Sequence, residues 1–353
     1  MRERIAQLRE ELRRTGLEAL LVSKPANIRY LCGATGTACE LLVTADDVLL
    51  LNNYVDITQN QETAPDVAQA RRTDPPQDVA AAVQARQIQH IGLEAHVLPQ
   101  AAYAAYVAAM PEVEVISTSG LVEQLRWVKG ADEVALIQRG MAINDLGCRY
   151  VQEHARAGIS EGELALGVER TMRESGAERL AFLLIQFGSN AAKPHHTFSD
   201  RALSRGDLIL CDIGAVCEGY GSDTTRTFVF GAASKRQRIV YEAVRTAQLA
   251  ALAAVKAGRR AADVHEASRA VIAEAGYNDY YGHGVGHGIN EGPTLNPQSP
   301  QILQPGNVVT IEPGIYIPGW GGVRIEDTVV VTDDGCRNLA DFPKELTVIT
   351  TVS

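Results

Sequence analysis

The sequence predicts a two-domain protein in which a small α/β domain precedes a larger α+β domain. Three observations support this fold class. The chain has 353 residues, roughly twice the length of a usual single domain. Apolar residues make up 46% of it, which is enough for sizeable cores. Strand and helix patterns alternate in the first third, whereas pairs of helices and groups of strands follow one another in the rest.

The first domain, residues 1–125, is predicted from an opening helix and six short apolar strands. Ile5, Leu8 and Leu12 lie at helical spacing in the opening segment. Alanine-rich helices are expected near 77–87 and 99–109. The candidate strands are 19–22, 40–44, 48–51, 67–70, 90–93 and 113–116. This domain contains no cluster of His, Asp and Glu, so we assign it no chemistry.

The second domain, residues 126–353, is predicted to follow a connecting segment at 120–130. Long helices are expected at 131–156, 161–175, 234–256 and 261–275, with strands between and after the helix pairs. No repeat of fixed period is evident. Histidines 195, 196, 265, 283 and 287 all lie in this domain, so we expect the functional site here.

Charge and cysteine content exclude several classes of function. The net charge is -10 and no Lys/Arg-rich run is present, so nucleic acids and membrane surfaces are poor partners. The six cysteines form no CxxC pair, a pattern typical of free thiols in a reducing compartment. Cys217, in a predicted loop, is expected to be a small, partly buried side chain. Without a signal peptide or a membrane-length apolar stretch, we expect a soluble cytoplasmic protein.

Residues 207–230 form the first of two predicted hairpins that each carry two carboxylates. Apolar, β-prone runs flank GluGlyTyrGlySer (218–222), whose residues favour a turn. A reversal near 217–218 places Asp212 and Asp223 opposite each other on paired strands. Two carboxylates on an otherwise apolar strand face are unfavourable without a cation.

Residues 308–331 form the second hairpin. A turn near Gly319 places Glu312 and Glu326 at mirrored positions. His287 lies between the two hairpins in a segment with four glycines, GlyHisGlyValGlyHisGly. Those glycines disfavour a helix, so the spacing of the two histidines is not that of a helical zinc-protease motif.

Four carboxylates and one neutral imidazole balance the charge of two divalent ions. Oxygen-rich ligation without a thiolate favours Mn²⁺, Co²⁺, Fe²⁺ or Zn²⁺ in a reactive site over a structural zinc site. A pair of such ions activates water and polarises a carbonyl, which is hydrolytic chemistry. Taken singly, each of the five side chains is more often salt-bridged or solvated than a ligand; the mirrored arrangement is what favours a metal site.

Five segments carry a more specific signal. They are AlaLysProHisHis (192–196), residues 212–228 with AspIleGly and GlyTyrGlySerAspThrThrArgThrPhe, the glycine-framed histidines (282–288), GluProGlyIleTyr (312–316) and ValArgIleGluAsp (323–327). In content and order they resemble the pita-bread metallopeptidases, a family that includes prolidase, aminopeptidase P and methionine aminopeptidase. The resemblance implies a pita-bread catalytic domain after a creatinase-like α/β domain, as in the first two. It also implies a homodimer and two divalent ions per subunit, Mn²⁺ first, with Co²⁺ or Zn²⁺ as alternatives.

The resemblance implies a role for each matching residue. The metal-ligand positions are matched by Asp212, Asp223, His287, Glu312 and Glu326. Glu312 also matches a proton-transferring glutamate, and His195 matches a histidine that stabilises the reacting amide. Arg324 shares a strand face with Glu326, where it orients that glutamate, contacts substrate or forms a structural ion pair. Three further matches have no assigned role: His196, Tyr220 and Arg226.

The loop after His287 departs from the family pattern. Most prolidases carry a second histidine there, whereas this chain has Asn290 in a shortened loop. Asn290 can hydrogen-bond a substrate carbonyl but cannot transfer a proton. Thr294 replaces an arginine with which some prolidases bind the free carboxylate of a dipeptide. Specificity for dipeptides therefore has to come from other residues.

The leading hypothesis is hydrolysis of the Xaa-Pro bond of dipeptides. That bond is a tertiary amide without an N–H, and a site that holds the amine end and polarises the carbonyl suits it. One alternative is an Xaa-Pro aminopeptidase for longer peptides, which Thr294 favours. Another is a hydrolase of non-peptide C–N bonds, with the altered 287–294 loop as its signal. A non-enzymatic interaction module is disfavoured because all five ligand positions are intact.

Overall fold

The computed structural model describes residues 1–350 and divides into two compact units, one covering residues 1–126 and the other beginning at Trp127. The first unit is α/β and the second α+β, as the sequence predicts. No helix in the described range is long and apolar enough to cross a bilayer.

The first unit contains six helices and six strands. The helices are α1 (Arg2–Thr15), α2 (Pro25–Cys32), α3 (Ile57–Thr63), α4 (Pro75–Ala85), α5 (Gln100–Ala109) and α6 (Leu121–Leu125). The strands are β1 (Ala19–Val22), β2 (Cys39–Thr44), β3 (Val48–Asn52), β4 (Ala68–Arg71), β5 (His90–Glu94) and β6 (Glu114–Thr118). All six predicted strands are present within two residues, whereas α2, α3 and α6 were not predicted.

One mixed sheet, in the order β4-β3-β2-β1-β5-β6, organises this unit. All four residues of β1 are buried because helices cover both faces of the sheet. Leu20 packs in the same cluster as Leu8 of α1, whereas Leu21 packs with Val79 of α4 and Tyr106 of α5. Alternation along one strand thus supplies two separate cores.

The second unit contains four long helices and ten strands within the described residues. The helices are α7 (Ala131–His154), α8 (Glu161–Glu174), α9 (Lys235–Ala254) and α10 (Ala261–Glu274). The strands are β7 (Arg179–Phe187), β8 (Leu208–Cys217), β9 (Tyr220–Gly221), β10 (Thr224–Phe230), β11 (Val308–Ile311), β12 (Gly314–Ile317), β13 (Gly321–Arg324), β14 (Asp327–Val331), β15 (Cys336–Asn338) and β16 (Thr347–Ile349). The four helices agree with the prediction within two residues at each end, and β7 was not predicted.

Three sheets carry the site. Strands β7, β8 and β10 form a sheet with β16 at its edge, and β9 adds to β8. Strand β11 pairs with β14, and β12 pairs with β13. Residues of α7 and α8 pack in one cluster with β7, β8 and β10, while α9 and α10 share clusters with β11, β12, β13 and β14.

The second unit contains an internal repeat with an offset of 100 residues, which the sequence did not reveal. Gly158 N–H donates to Leu203 O at 2.9 Å, and Gly258 N–H donates to Leu303 O at the same distance. The bonds from Leu203 to Ile159 and from Leu303 to Arg259 also correspond. Gly158 and Leu203 recur as Gly258 and Leu303, but most other residues at this offset differ, so a search by residue identity misses the repeat.

All six cysteines are unpaired, as predicted. Cys217, however, is the last residue of β8 and is 1% exposed, so its predicted place in a loop is wrong. Burial raises the pKa of its thiol.

Arg226 and Asp327 form a fully buried ion pair at 2.9 Å in the second unit. The guanidinium also donates to the carbonyl oxygens of Thr225, Glu326, Phe342 and Pro343. Asp327 Oδ2 accepts from Gln248, Asn338 and Lys344. This network ties β10 and β14 to the segment before β16.

Replacing Arg226 by Met is expected to lower the free energy of unfolding of the second unit by about 3–5 kcal/mol, because it leaves Asp327 buried without its guanidinium partner. Urea denaturation followed by tryptophan fluorescence measures this, since both tryptophans lie in this unit. The control is Arg236→Met, which removes an exposed guanidinium 4.6 Å from the Trp320 ring and is expected to change stability by less than about 1 kcal/mol. Equal losses in both variants would contradict the assignment.

Candidate metal centre and substrate cleft

The turn of the first hairpin, β8–β10, lies one residue later than predicted, which shifts the pairing of the two strands by two residues. The reversal is centred on Glu218 and Gly219, and Asp212 pairs with Thr225. Asp223 is therefore a diagonal neighbour of Asp212 rather than its direct partner. The two side chains still share one face, because residues two apart on a strand point the same way.

The second hairpin has the predicted register. Its reversal centres on Gly319, and Gly314 pairs with Arg324. The same register continues into β11 and β14, where Ile311 pairs with Asp327. Glu312 and Glu326 thus lie at mirrored positions beside the two ladders, as predicted.

His287 is fixed against β11 by its backbone. Its N–H donates to Thr310 Oγ1 at 3.0 Å, and its carbonyl accepts from Thr310 N at 2.8 Å. The backbone around His287 approaches β11 so closely that a Cβ on Gly286 would lie 1.9 Å from Thr310 O. A Cβ on Gly288 would lie 2.3 Å from the Gly292 Cα. Glycine at both positions is therefore a steric requirement of the close approach, and the segment is not helical, as predicted.

The five predicted ligand residues come together. Ligand-capable atoms of Asp212, Asp223 and Glu326 lie within 4.8 Å of one another, and all three residues are buried. His287 Nε2 lies 3.5 Å from Asp223 Oδ2 and 3.4 Å from Glu312 Oε1. Asp212 Oδ1 and Glu326 Oε1 are buried without a hydrogen-bond partner among residues 1–350. Two such orphaned oxygens are unfavourable unless a cation satisfies them.

The pKa values of three of these carboxylates are raised, because burial and neighbouring negative charges disfavour their ionised forms. Burial and the charges of Glu326 and Asp212 raise the pKa of Asp223 well above its ordinary range. Burial and the charges of Glu312 and Asp212 do the same to the pKa of Glu326. Burial also raises the pKa of Glu312. Divalent cations reverse these shifts, because they favour the ionised form of each carboxylate.

The imidazole of His287 is oriented for a cation. Its Nδ1 lies 3.3 Å from Gly288 O, which can only accept, so Nδ1 carries the proton. Nε2 then presents a lone pair toward the oxygens of Asp223 and Glu312. Lone pairs facing one another at this distance repel, and a metal ion between them removes the repulsion.

Arg324 lies behind Asp212 and is 3% exposed. Its guanidinium donates to Asp212 Oδ2, to the Tyr316 hydroxyl at 2.8 Å and to Thr225 Oγ1 at 3.0 Å. It makes no direct hydrogen bond to Glu326; the Thr225 hydroxyl links the two by donating to Glu326 Oε2 at 2.8 Å. Of its three predicted roles, this geometry favours orientation of ligands, chiefly of Asp212.

Tyr316 and His283 extend this chain of hydrogen bonds. His283 Nδ1 lies 2.7 Å from Gly284 O and must donate to it, so Nε2 accepts from the Tyr316 hydroxyl at 3.0 Å. Burial lowers the pKa of His283 to about 4, which keeps the ring neutral at neutral pH. Sequence reasoning gave neither residue a role. Strand alternation was the available signal, since Tyr316 shares a face with Glu312 and is diagonal to Arg324 across the ladder.

A cleft of about 970 Å³ opens onto the cluster. His195 lies on its wall with Phe182, Leu184 and Pro194, which make that side apolar. Thr294 also lines the cleft. Among the described residues of the lining, Arg324 is the one arginine or lysine, and it is already hydrogen-bonded to the residues named above.

Asn290 contributes to the fold of the loop rather than to the lining of this cleft. Its Oδ1 accepts from Gly221 N at 3.1 Å, which joins the shortened loop to β9. The three matches without an assigned role also make structural contacts. His196 Nε2 lies 3.5 Å from Glu161, the Tyr220 hydroxyl donates to Glu133, and Arg226 forms the buried pair described above.

Comparison with known proteins adds to this geometry. The sequence profile of metallopeptidase family M24 matches residues 135–333, and that of the creatinase/prolidase N-terminal domain matches residues 4–128. The chain is 32% identical to an Xaa-Pro dipeptidase of Pyrococcus furiosus, over 98% of this chain and 100% of that protein. It is similar to the solved Xaa-Pro dipeptidase from Bacillus anthracis, with a TM-score of 0.95, 34% identity and coverage of 98% and 99%. It is also similar to the solved X-Pro aminopeptidase of Thermotoga maritima, with a TM-score of 0.89, 31% identity and coverage of 95% of this chain and 98% of that chain.

The Thr225 hydroxyl provides a test of the arrangement around Glu326. Thr225→Val keeps the shape of the side chain but removes its bonds to Glu326 and Arg324, and is expected to weaken Mn²⁺ binding by about 10–100-fold. The matched control is Thr227→Val on the same strand face. Among the described residues the Thr227 hydroxyl bonds only the Arg324 backbone, so its loss is expected to leave Mn²⁺ affinity nearly unchanged. Calorimetric titration of the metal-free proteins measures both. Equal affinities for the two variants would rule out this role of Thr225.

Proposed function

The chain belongs to metallopeptidase family M24, and we propose that it is a two-metal peptidase that hydrolyses the Xaa-Pro bond of dipeptides. In this proposal five residues hold the ions: Asp212, Asp223, His287, Glu312 and Glu326. The oxygen-rich set with one imidazole favours Mn²⁺, with Co²⁺ or Zn²⁺ as alternatives. The creatinase-like first domain and the pita-bread fold of the second are those of this family.

One observation carries the proposal. In the part of the chain that the structure describes, Asp212 Oδ1 and Glu326 Oε1 are buried without hydrogen-bond partners, and the lone pair of His287 Nε2 faces two carboxylates. The residues of the site therefore fit divalent cations. The cleft beside them has room for a small ligand, since pockets of 300–1,000 Å³ are usual for such molecules.

The protein's side chains have distinct tasks in this mechanism. When bound, the metal ions supply Lewis acidity, which polarises the scissile carbonyl and lowers the pKa of water. Glu312, on the cleft wall, takes a proton at its carboxylate from the water that attacks the carbonyl and gives it to the proline nitrogen as the C–N bond breaks. His195 donates a hydrogen bond from its ring to the developing negative charge on the amide oxygen. Arg324, which also donates to the Tyr316 hydroxyl, holds Asp212 in place from behind.

The second candidate is an Xaa-Pro aminopeptidase that acts on longer peptides. It is favoured by the composition of the cleft wall, where the described residues offer no arginine or lysine beyond the engaged Arg324 to bind a free carboxylate beside the scissile bond. Thr294, where an arginine would serve that purpose, is exposed. The similarity to the Thermotoga maritima X-Pro aminopeptidase agrees with this candidate.

A homodimer and a cytoplasmic location remain predictions from the resemblance and the cysteine pattern. Gel filtration with light scattering tests the first, and cell fractionation tests the second.

The proposed reaction is tested by stripping the protein with a chelator, reloading it with Mn²⁺ and following three peptides: Ala-Pro, Ala-Pro-Ala and Ala-Ala. Proline release from Ala-Pro is expected after Mn²⁺ is restored, with little cleavage of Ala-Ala. Asp223→Asn is expected to abolish the activity and to bind fewer Mn²⁺ ions per chain, because it removes a ligand charge. The exposed Asp333→Asn is the control and is expected to remain active.

The outcomes separate the candidates. Cleavage of Ala-Pro alone supports the dipeptidase, and preference for Ala-Pro-Ala supports the aminopeptidase. If Mn²⁺ binds but neither proline peptide is cleaved, the proposal fails and hydrolysis of a non-peptide C–N bond becomes the better hypothesis.

A further inference from the structure

His195 lies at the tip of a β-turn, and its side chain is not held by hydrogen bonds to the described residues. The turn comprises residues 193–196, and His196 N–H donates to Lys193 O at 3.0 Å. Pro194 occupies the second position, which its fixed φ favours. The His195 ring is exposed and makes no hydrogen bond within the described part of the chain. Its position in the cleft therefore depends on what holds the turn.

Two fully buried side chains hold this turn from below. Gln186 of β7 donates from Nε2 to the carbonyl oxygens of Lys193, at 3.1 Å, and His196. These carbonyls flank Pro194 and His195.

Glu161, the first residue of α8, holds the wider segment 187–199 and is 0% exposed. Its Oε1 accepts from Phe187 N at 2.6 Å and from Asn190 Nδ2 at 3.0 Å. Its Oε2 accepts from Ser199 N at 2.9 Å and from Ser199 Oγ at 2.6 Å. One buried carboxylate thus fastens both ends of the segment that carries His195.

The internal repeat shows that the helix start itself does not require this glutamate. The residue equivalent to Glu161 in the second half is Ala261, the first residue of α10. Both keep the same backbone bond, from Glu161 N to Arg201 O and from Ala261 N to Gln301 O. In the first half, the side chain is instead directed at the segment with His195.

We propose that Glu161 is a positioning residue that acts through His195, by fixing segment 187–199 so that the imidazole is held in the cleft. This inference rests on the proposed function, in which His195 stabilises the reacting amide. A displacement of about 1 Å at such a group reduces turnover by up to about 10²-fold. Replacement of the carboxylate by an amide turns one acceptor into a donor that faces N–H or O–H groups, so the segment is expected to shift.

A double-mutant cycle tests this inference on whichever proline peptide the wild-type protein cleaves. His195→Ala is expected to lower kcat by about 10²–10³-fold. Glu161→Gln is expected to lower kcat by up to about 10²-fold with unchanged Mn²⁺ affinity in titrations. In the His195→Ala background, Glu161→Gln is expected to have no further effect on kcat, because its influence is exerted through the missing imidazole.

Two further variants keep the result interpretable. Ser199→Ala removes one donor to Glu161 and is expected to give a smaller loss with the same dependence on His195, even if Glu161→Gln fails to fold. Asp327→Asn is the control, because it alters another buried carboxylate, one without a hydrogen bond to segment 187–199. Its fold-loss of kcat is expected to be the same in the wild-type and the His195→Ala backgrounds.

The inference would be overturned if the losses of kcat caused by His195→Ala and Glu161→Gln multiply in the double variant. If Glu161→Gln does not fold, the same outcome with Ser199→Ala would overturn it. An unchanged kcat in both variants would also overturn it. In each of these cases the proposed function would still stand. If the wild-type protein cleaves neither peptide, the proposed function has failed first, and that outcome is distinguishable because the cycle has no starting activity.

Discussion

The mutual repulsion of four carboxylates in one small volume is the constraint on which this structure depends. Asp212, Asp223 and Glu326 are buried together, and Glu312 lies beside the His287 imidazole, which also faces Asp223. Such a cluster is stable in ionised form only around cations, and only if each side chain is held against its neighbours. The two hairpins, the Arg324–Tyr316–His283 chain and the Thr225 hydroxyl all serve that purpose. These parts of the second unit therefore hold carboxylates of like charge close to one another.

The sequence was sufficient to predict most of the elements, though not α2, α3, α6 or β7, and the members of the cluster, because apolar periodicity and turn residues identify helices, strands and hairpins. It was not sufficient to fix the register of the first hairpin. The five residues of GluGlyTyrGlySer permit reversals at adjacent positions, and the observed turn places Glu218 at φ 50 beside Gly219. Strand β7 was missed although residues 180–185 are all apolar, because periodicity alone does not distinguish a short continuous apolar run in a strand from one in a buried helix. The contacts of Arg324 with Asp212 and of Glu161 with segment 187–199 join distant parts of the chain, and spacing along the sequence carries no information about them.

The repeat explains why the site has two equivalent halves that are not identical. Asp212 and Glu312 are 100 residues apart, which is the offset of the repeated backbone bonds. Each half supplies one hairpin with two carboxylates, so neither half has a complete centre. What distinguishes the halves lies outside the hairpins. The first half adds the segment with His195 and its buried carboxylate, and the second adds the glycine-rich segment with His287.

The close approach of backbones at Gly286 and Gly288 has a consequence for genetic variation. A Cβ at either position would overlap main-chain atoms of Thr310 or Gly292, which cannot rotate away as a side chain does. Any missense change in these codons therefore displaces His287 while leaving every ligand residue intact. The set of positions at which a single nucleotide change abolishes activity is accordingly larger than the set of ligands. A survey of natural alleles that inspects the ligands alone would classify some inactive proteins as intact.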